Sequence, residues 1–119
     1  MSTHAHIAIE LEDGYNYIYC HNDGYPEHLL KILRNHYNSK QLALQLISLG
    51  DASFIDKKLE PTTKDHSFDQ PEDSVSIFYH RDRKESWECC QPKNATMEKL
   101  KASQCYVYLF ENDQWQLLQ

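Results

Sequence analysis

Two short segments of the 119-residue chain concentrate side chains that can do chemistry. The first, Tyr19-Cys20-His21-Asn22-Asp23-Gly24-Tyr25-Pro26, carries a thiol, an imidazole, a carboxylate and two phenols. The second, His80-Arg81-Asp82-Arg83 with Trp87 just beyond it, carries an imidazole, a carboxylate and two guanidiniums, whose planar forks suit a carboxylate or phosphate. Neighbouring residues of a strand point to opposite faces, so Cys20 and His21 cannot serve each other as nucleophile and base. A Cys20 thiolate would need His36, His66 or His80 from elsewhere in the fold. Against that chemistry stand simpler roles: Cys20 as a small core hydrophobe, Asp23 as a turn former, and Arg81, Asp82, Arg83 and Glu85 as internal ion pairs. The segments therefore nominate His21, Asp23, Tyr25, His80, Arg81, Asp82, Arg83 and Trp87 as binding residues, with no catalytic residue assigned.

Other chemistries find less support. Cys89-Cys90 with His80 or His66 has the ligand types of a zinc site, but the four cysteines match no standard zinc spacing, so neither metal nor cofactor is expected. His80-Arg81-Asp82 has the order of a kinase catalytic loop, yet Trp87 stands where that loop needs Asn. Twelve basic against eighteen acidic residues give a net charge of -6, which argues against direct binding of nucleic acid through its phosphates. No apolar run reaches the roughly 18 residues of a membrane span, and the first residues lack the pattern of a signal peptide, so a cytoplasmic location is expected.

The elements that must position these residues are legible from period and punctuation. Residues 6–11 and 15–20 alternate like half-buried strands around Glu12-Asp13-Gly14, which predicts an antiparallel hairpin. Pro26 then suits the first position of a helix whose apolar face is Leu29, Leu30, Leu33 and Tyr37. Ser39 can cap a second helix with Leu42, Leu46, Ile47 and Leu49 inward and Gly50 as its stop. The pair superficially suits a helix-turn-helix DNA reader, but the second helix offers Lys40 and no Arg.

Beyond Gly50 the pattern weakens. Phe54 and Ile55 suit a further helical turn, and residues 56–73 a polar connection that either packs through Leu59 and Phe68 or moves. Residues 74–80 suit a third strand, with Val75, Ile77 and Tyr79 on one face. A helix capped by Asn94 spans 95–102, and 105–110 with 114–118 close the chain as a hairpin across Glu111-Asn112-Asp113. The expected fold is a single α+β domain over residues 1–119, an antiparallel sheet of about five strands with helices on one face, in the order ββααβαββ.

The same residues carry a resemblance. Tyr-Cys-His-x-Asp-Gly-Tyr-Pro at 19–26, His36-Tyr37-Asn38, Leu46 to Asp51, His66-Ser67-Phe68 and Tyr79 to Arg83 resemble a family of small uncharacterised proteins of tailed bacteriophages and prophages. The similarity runs from about Ile7 to Trp115. Asn22 departs from it, standing where such proteins often carry an aromatic residue, and Lys84 stands where they often carry Gly. The resemblance implies an accessory protein in the cytoplasm of a bacterial host. Such a protein binds a host macromolecule, most simply a host protein of defence or metabolism, without catalysis. The alternative is a small-ligand or nucleotide-binding protein, or a hydrolase, whose site gathers His21, Asp23, His80, Arg81 and Asp82.

Overall fold

The structure, a computed structural model, describes residues 3–118. The first hairpin forms as expected, with β1 (Ala5–Leu11) and β2 (Gly14–Cys20) antiparallel and in the register that sets Leu11 opposite Gly14 and His6 opposite Tyr19. Tyr25 O accepts from the N–H groups of His28 and Leu29, so a first turn containing Pro26 leads into α1 (Leu29–His36). Ser39 caps α2 (Lys40–Ser48) through its hydroxyl, which accepts from Leu42 N–H at 3.2 Å. The helix ends at Gly50, whose φ of +85° suits glycine.

Gly50 is fixed by space as well as by φ. A Cβ there would lie 2.4 Å from the Cys90 carbonyl oxygen. Gly24 is different: its φ is ordinary, and Asp23 takes the left-handed conformation instead, at φ +56°. A Cβ at Gly24 would lie 2.7 Å from Ala5 Cβ and 2.9 Å from Thr3 O, so close packing on the start of β1 demands glycine there.

The second half departs from the expected pattern. Residues 52–54 form β3 (Ala52–Phe54) rather than a helical turn, pairing in parallel with the end of β2. The third strand shrinks to β4 (Ile77–Phe78), and Tyr79 and His80 already belong to α3 (Tyr79–Arg83). Val75 is buried as expected, but it is joined by Ser76 and Phe78 rather than by Ile77 and Tyr79, which are half-buried. After α4 (Trp87–Cys90), the chain adds β5 (Lys93–Ala95) along β2 before α5 (Met97–Lys101), which Thr96 rather than Asn94 caps. β6 (Tyr106–Glu111) and β7 (Gln114–Leu117) make the closing hairpin, its turn residues Asn112 and Asp113 both at positive φ.

The sheet is therefore mixed and has seven strands rather than five antiparallel ones, in the order β4-β3-β2-β1-β6-β7 with β5 also on β2. β1 runs parallel to β6 and is buried on both faces, with Ile7, Ala8 and Ile9 at most 1% exposed. Helices lie on both faces rather than one. α1 and α2 cover Ile7, Ile9, Ile18, Cys20, Tyr108 and Phe110, while α5 places Leu100 on Ala8, Val107 and Leu109 opposite. Trp115 closes the larger core, its indole N–H donating to Tyr37 O at 2.7 Å, and burying a side chain of that size contributes about 2–3 kcal/mol.

The connection after β3 packs down. Lys58 bridges to Val75 as a parallel β-bridge, and Leu59 lies against the larger core. Among the described residues no helix is long and apolar enough to cross a membrane.

Candidate functional site

Two residues of the second chemistry-bearing segment, Arg81 and Asp82, are turned inward. The Asp82 carboxylate is 4% exposed, and its Oδ2 accepts from Phe78 N–H at 2.8 Å, closing the first turn of α3. Arg81 donates from Nε to Asp82 Oδ1 at 2.9 Å and from Nη2 to Oδ2 at 3.1 Å. Its remaining contacts hold the long connection, Nη1 on Leu59 O at 2.6 Å and Nη2 on Ser76 O at 2.8 Å, with the guanidinium over the Phe78 ring. His66 completes the group. Its Nδ1 accepts from Glu72 N–H, so in the neutral ring the proton sits on Nε2, 3.3 Å from Asp82 Oδ1.

Burial would raise the Asp82 pKa, but the hydrogen bonds from Arg81 and Phe78 and the Arg81 charge outweigh it and hold the carboxyl below its ordinary value. The neighbouring His80, Arg83 and Trp87 stay exposed. Arg83 lies over the Phe68 ring and 3.7 Å from Glu85. His80 bonds to Glu85 O through Nδ1 and meets Trp87 edge-on, leaving Trp87 39% exposed.

The first segment opens outward. Cys20 is fully buried, and that burial pushes its thiol up to about 12, which removes it as a nucleophile at neutral pH. His21, the next residue, points to the opposite face, where Tyr19 Oη lies 2.9 Å from its Nδ1. His4 joins them: its Nδ1–H donates to His21 O at 2.7 Å, and the two imidazole centroids are 4.6 Å apart. His6 extends the row, with Tyr17 at 5.1 Å and Tyr19 at 6.0 Å, and its Nδ1 is 3.1 Å from Ser103 Oγ. Burial, aided by Lys93 and Lys99, lowers the His6 pKa. Asp23 and Tyr25 follow on the surface, the latter 37% exposed.

The topology turns the two segments in opposite directions. β2 runs parallel to β3 and β4 antiparallel to it, so the chain leaves β2 and β4 in opposite directions. His21 N–H bonds to Ala52 O on one side of β3, and Tyr79 N–H to Asp51 O on the other. Among the described residues no hydrogen bond, ion pair or ring contact joins His21, Asp23 or Tyr25 to residues 80–83 or Trp87.

Asp51 links the two neighbourhoods and escaped attention in the sequence. β2 has two partners on one edge, β5 at residues 15–17 and β3 at Cys20, which leaves Tyr19 N–H without a strand partner. Asp51 Oδ1 accepts that N–H at 2.9 Å, while Oδ2 lies 3.8 Å from Lys93 Nζ. Burial raises the Asp51 pKa, only partly countered by Tyr19 N–H and Lys93. His4 and His6 were also missed, although the hairpin register that pairs Leu11 with Gly14 sets His6 opposite Tyr19 and carries His4 toward His21.

No group of three or more His, Cys, Asp or Glu residues suited to a metal ion occurs among the described residues. Comparison adds no assignment: no family model matches the chain, and no curated protein or solved structure is significantly similar to it.

Proposed function

We propose that the protein is a phage-type accessory protein that acts by binding a host protein, not by catalysis, in the cytoplasm of its bacterial host. The phage origin rests on the sequence resemblance alone. The observation that carries the binding reading is the contrast between engaged chemistry and exposed rings. The thiol of Cys20 and the Arg81–Asp82–His66 group are consumed inside the fold, while Tyr25, Trp87 and Tyr106 are 37–39% exposed. Tyr and Trp are the residue types that dominate interface energetics. Tyr25 and Tyr106 also lie at one end of the sheet, because Tyr108, stacked beside Tyr106, donates its hydroxyl proton to Gly24 O at 2.6 Å.

The test is affinity capture from bacterial lysate with the parent, Tyr25→Ala and Trp87→Ala, followed by affinity measurement with the captured protein. One specific host protein is expected, bound at least about 30-fold more weakly by one of the variants, equivalent to about 2 kcal/mol. Capture of nothing specific, or equal capture by all three proteins, contradicts the reading.

A further inference from the structure

The sheet face opposite α1 and α2 is only partly covered. α5 sets Leu100 on Ala8, Val107 and Leu109, with Tyr15, Tyr17, Ala95 and Met97 packed around them. Toward the start of β1 and the end of β2, His4, His6, Tyr17, Tyr19 and His21 share this face, each half-buried. The rings form a continuous set with neighbouring centroids 4.6–6.0 Å apart.

Two ammonium groups border it. Lys99 Nζ lies 5.7 Å from the Tyr17 ring centroid, and Lys93 projects from β5 with half of its side chain exposed. Asp51 lies 3.8 Å from Lys93 and offsets one of these charges, which leaves the border with one net positive charge.

We propose that this ring-lined face binds a mononucleotide, its base packed face-on against one of these rings and edge-on against a tilted neighbour, and its phosphate held by Lys93 and Lys99. Flat rings on neighbouring strands suit a base of any identity, because every base has a π-face. Flanking cations suit one phosphate but cannot follow a polymer, whose binding requires neutralising many phosphates. The net charge of -6 likewise argues against a nucleic acid. The site uses residues distinct from Tyr25, Trp87 and Tyr106, so it stands or falls separately from partner binding.

The test is a titration of the full chain with AMP, GMP, CMP and UMP, followed by amide chemical shifts and calorimetry, with adenosine and ribose 5-phosphate as half-ligands. At least one nucleotide is expected to bind with Kd below about 1 mM, more tightly than either half-ligand, with shifts confined to β1, β2, β5 and α5. The K93Q/K99Q double variant, at exposed positions that leave the fold intact, is expected to weaken nucleotide binding at least about tenfold while leaving adenosine unchanged. Tyr19→Leu, checked for folding by circular dichroism, is expected to weaken adenosine and nucleotide alike. No binding below about 1 mM by any of the four, shifts outside these elements, or binding unchanged in K93Q/K99Q overturns the proposal.

Discussion

The His66–Arg81–Asp82 group and the His4–Tyr19–His21 group look alike in composition, each mixing imidazole with polar partners, yet they do opposite things. In the first, both carboxylate oxygens and all three guanidinium nitrogens are bonded within the chain, tying the connection after β3 to α3. In the second, each imidazole uses Nδ1 in a hydrogen bond and the rings stay half-buried at the surface. Chemical capability read from a sequence therefore says little about availability. What decides it is how many of the donors and acceptors the fold itself consumes.

The largest expected effect breaks the closed group. Asp82→Ala leaves Arg81 without its carboxylate and Phe78 N–H without an acceptor, and is expected to cost about 3 kcal/mol in urea unfolding. His21→Ala in the open group is expected to cost less than about 1 kcal/mol by the same measurement. Gly50→Ala strikes the turn that delivers Asp51 between the two regions. With φ at +85° and no room for a Cβ beside Cys90 O, it is expected to cost about 2–3 kcal/mol, read as a lowered unfolding midpoint.

The two part-buried aspartates give the comparison a sign. The folded pKa of Asp82 is lowered, so its contribution is present above the ordinary carboxyl range near pH 4 and is lost as pH falls through the folded value. The folded pKa of Asp51 is raised, so its contribution is full below that range and is lost as pH rises through the folded value. Unfolding curves between pH 2 and pH 7 are expected to show Asp82→Asn weakening the acid-side loss of stability. Asp51→Asn, which keeps an acceptor for Tyr19 N–H, is expected to remove a decline toward neutral pH. The smallest effect concerns Lys84, which ends α3 at φ +62°. Lys84→Gly relieves that conformation and is expected to raise stability by about 0.5–1 kcal/mol.

Much of the first half was legible because its signals are local. The Gly14 hairpin, the Ser39 cap and the Gly50 stop each depend on neighbours a few residues away, whereas Pro26 falls in a turn ahead of α1 rather than at its first position. The second half depends on distant partners. Ala52-Ser53-Phe54 is too short to show a period and becomes a strand because β2 and β4 flank it. Lys93-Asn94-Ala95 becomes one through the free edge of β2. Tyr79 and His80 continue a strand-like run, but Asp82 turns back to cap Phe78 N–H and starts a helix there.

The candidate residues were legible as types and not as groups. His21 was visible beside Cys20, whereas its companions His4 and His6 emerge from the hairpin register, and nothing local announces that His66 lies against Asp82.

Histidine footprinting with diethyl pyrocarbonate, read by mass spectrometry on the folded chain, tests the division into closed and open groups most directly. His66, its side chain 2% exposed, with Nδ1 bonded to Glu72 N–H and Nε2 buried 3.3 Å from Asp82, is expected to stay unmodified until the protein unfolds. His4 and His21, each with Nε2 outside the hydrogen bonds made by Nδ1, are expected to be modified in the native state. Labelling of His66 as rapidly as His4 and His21 would contradict the account.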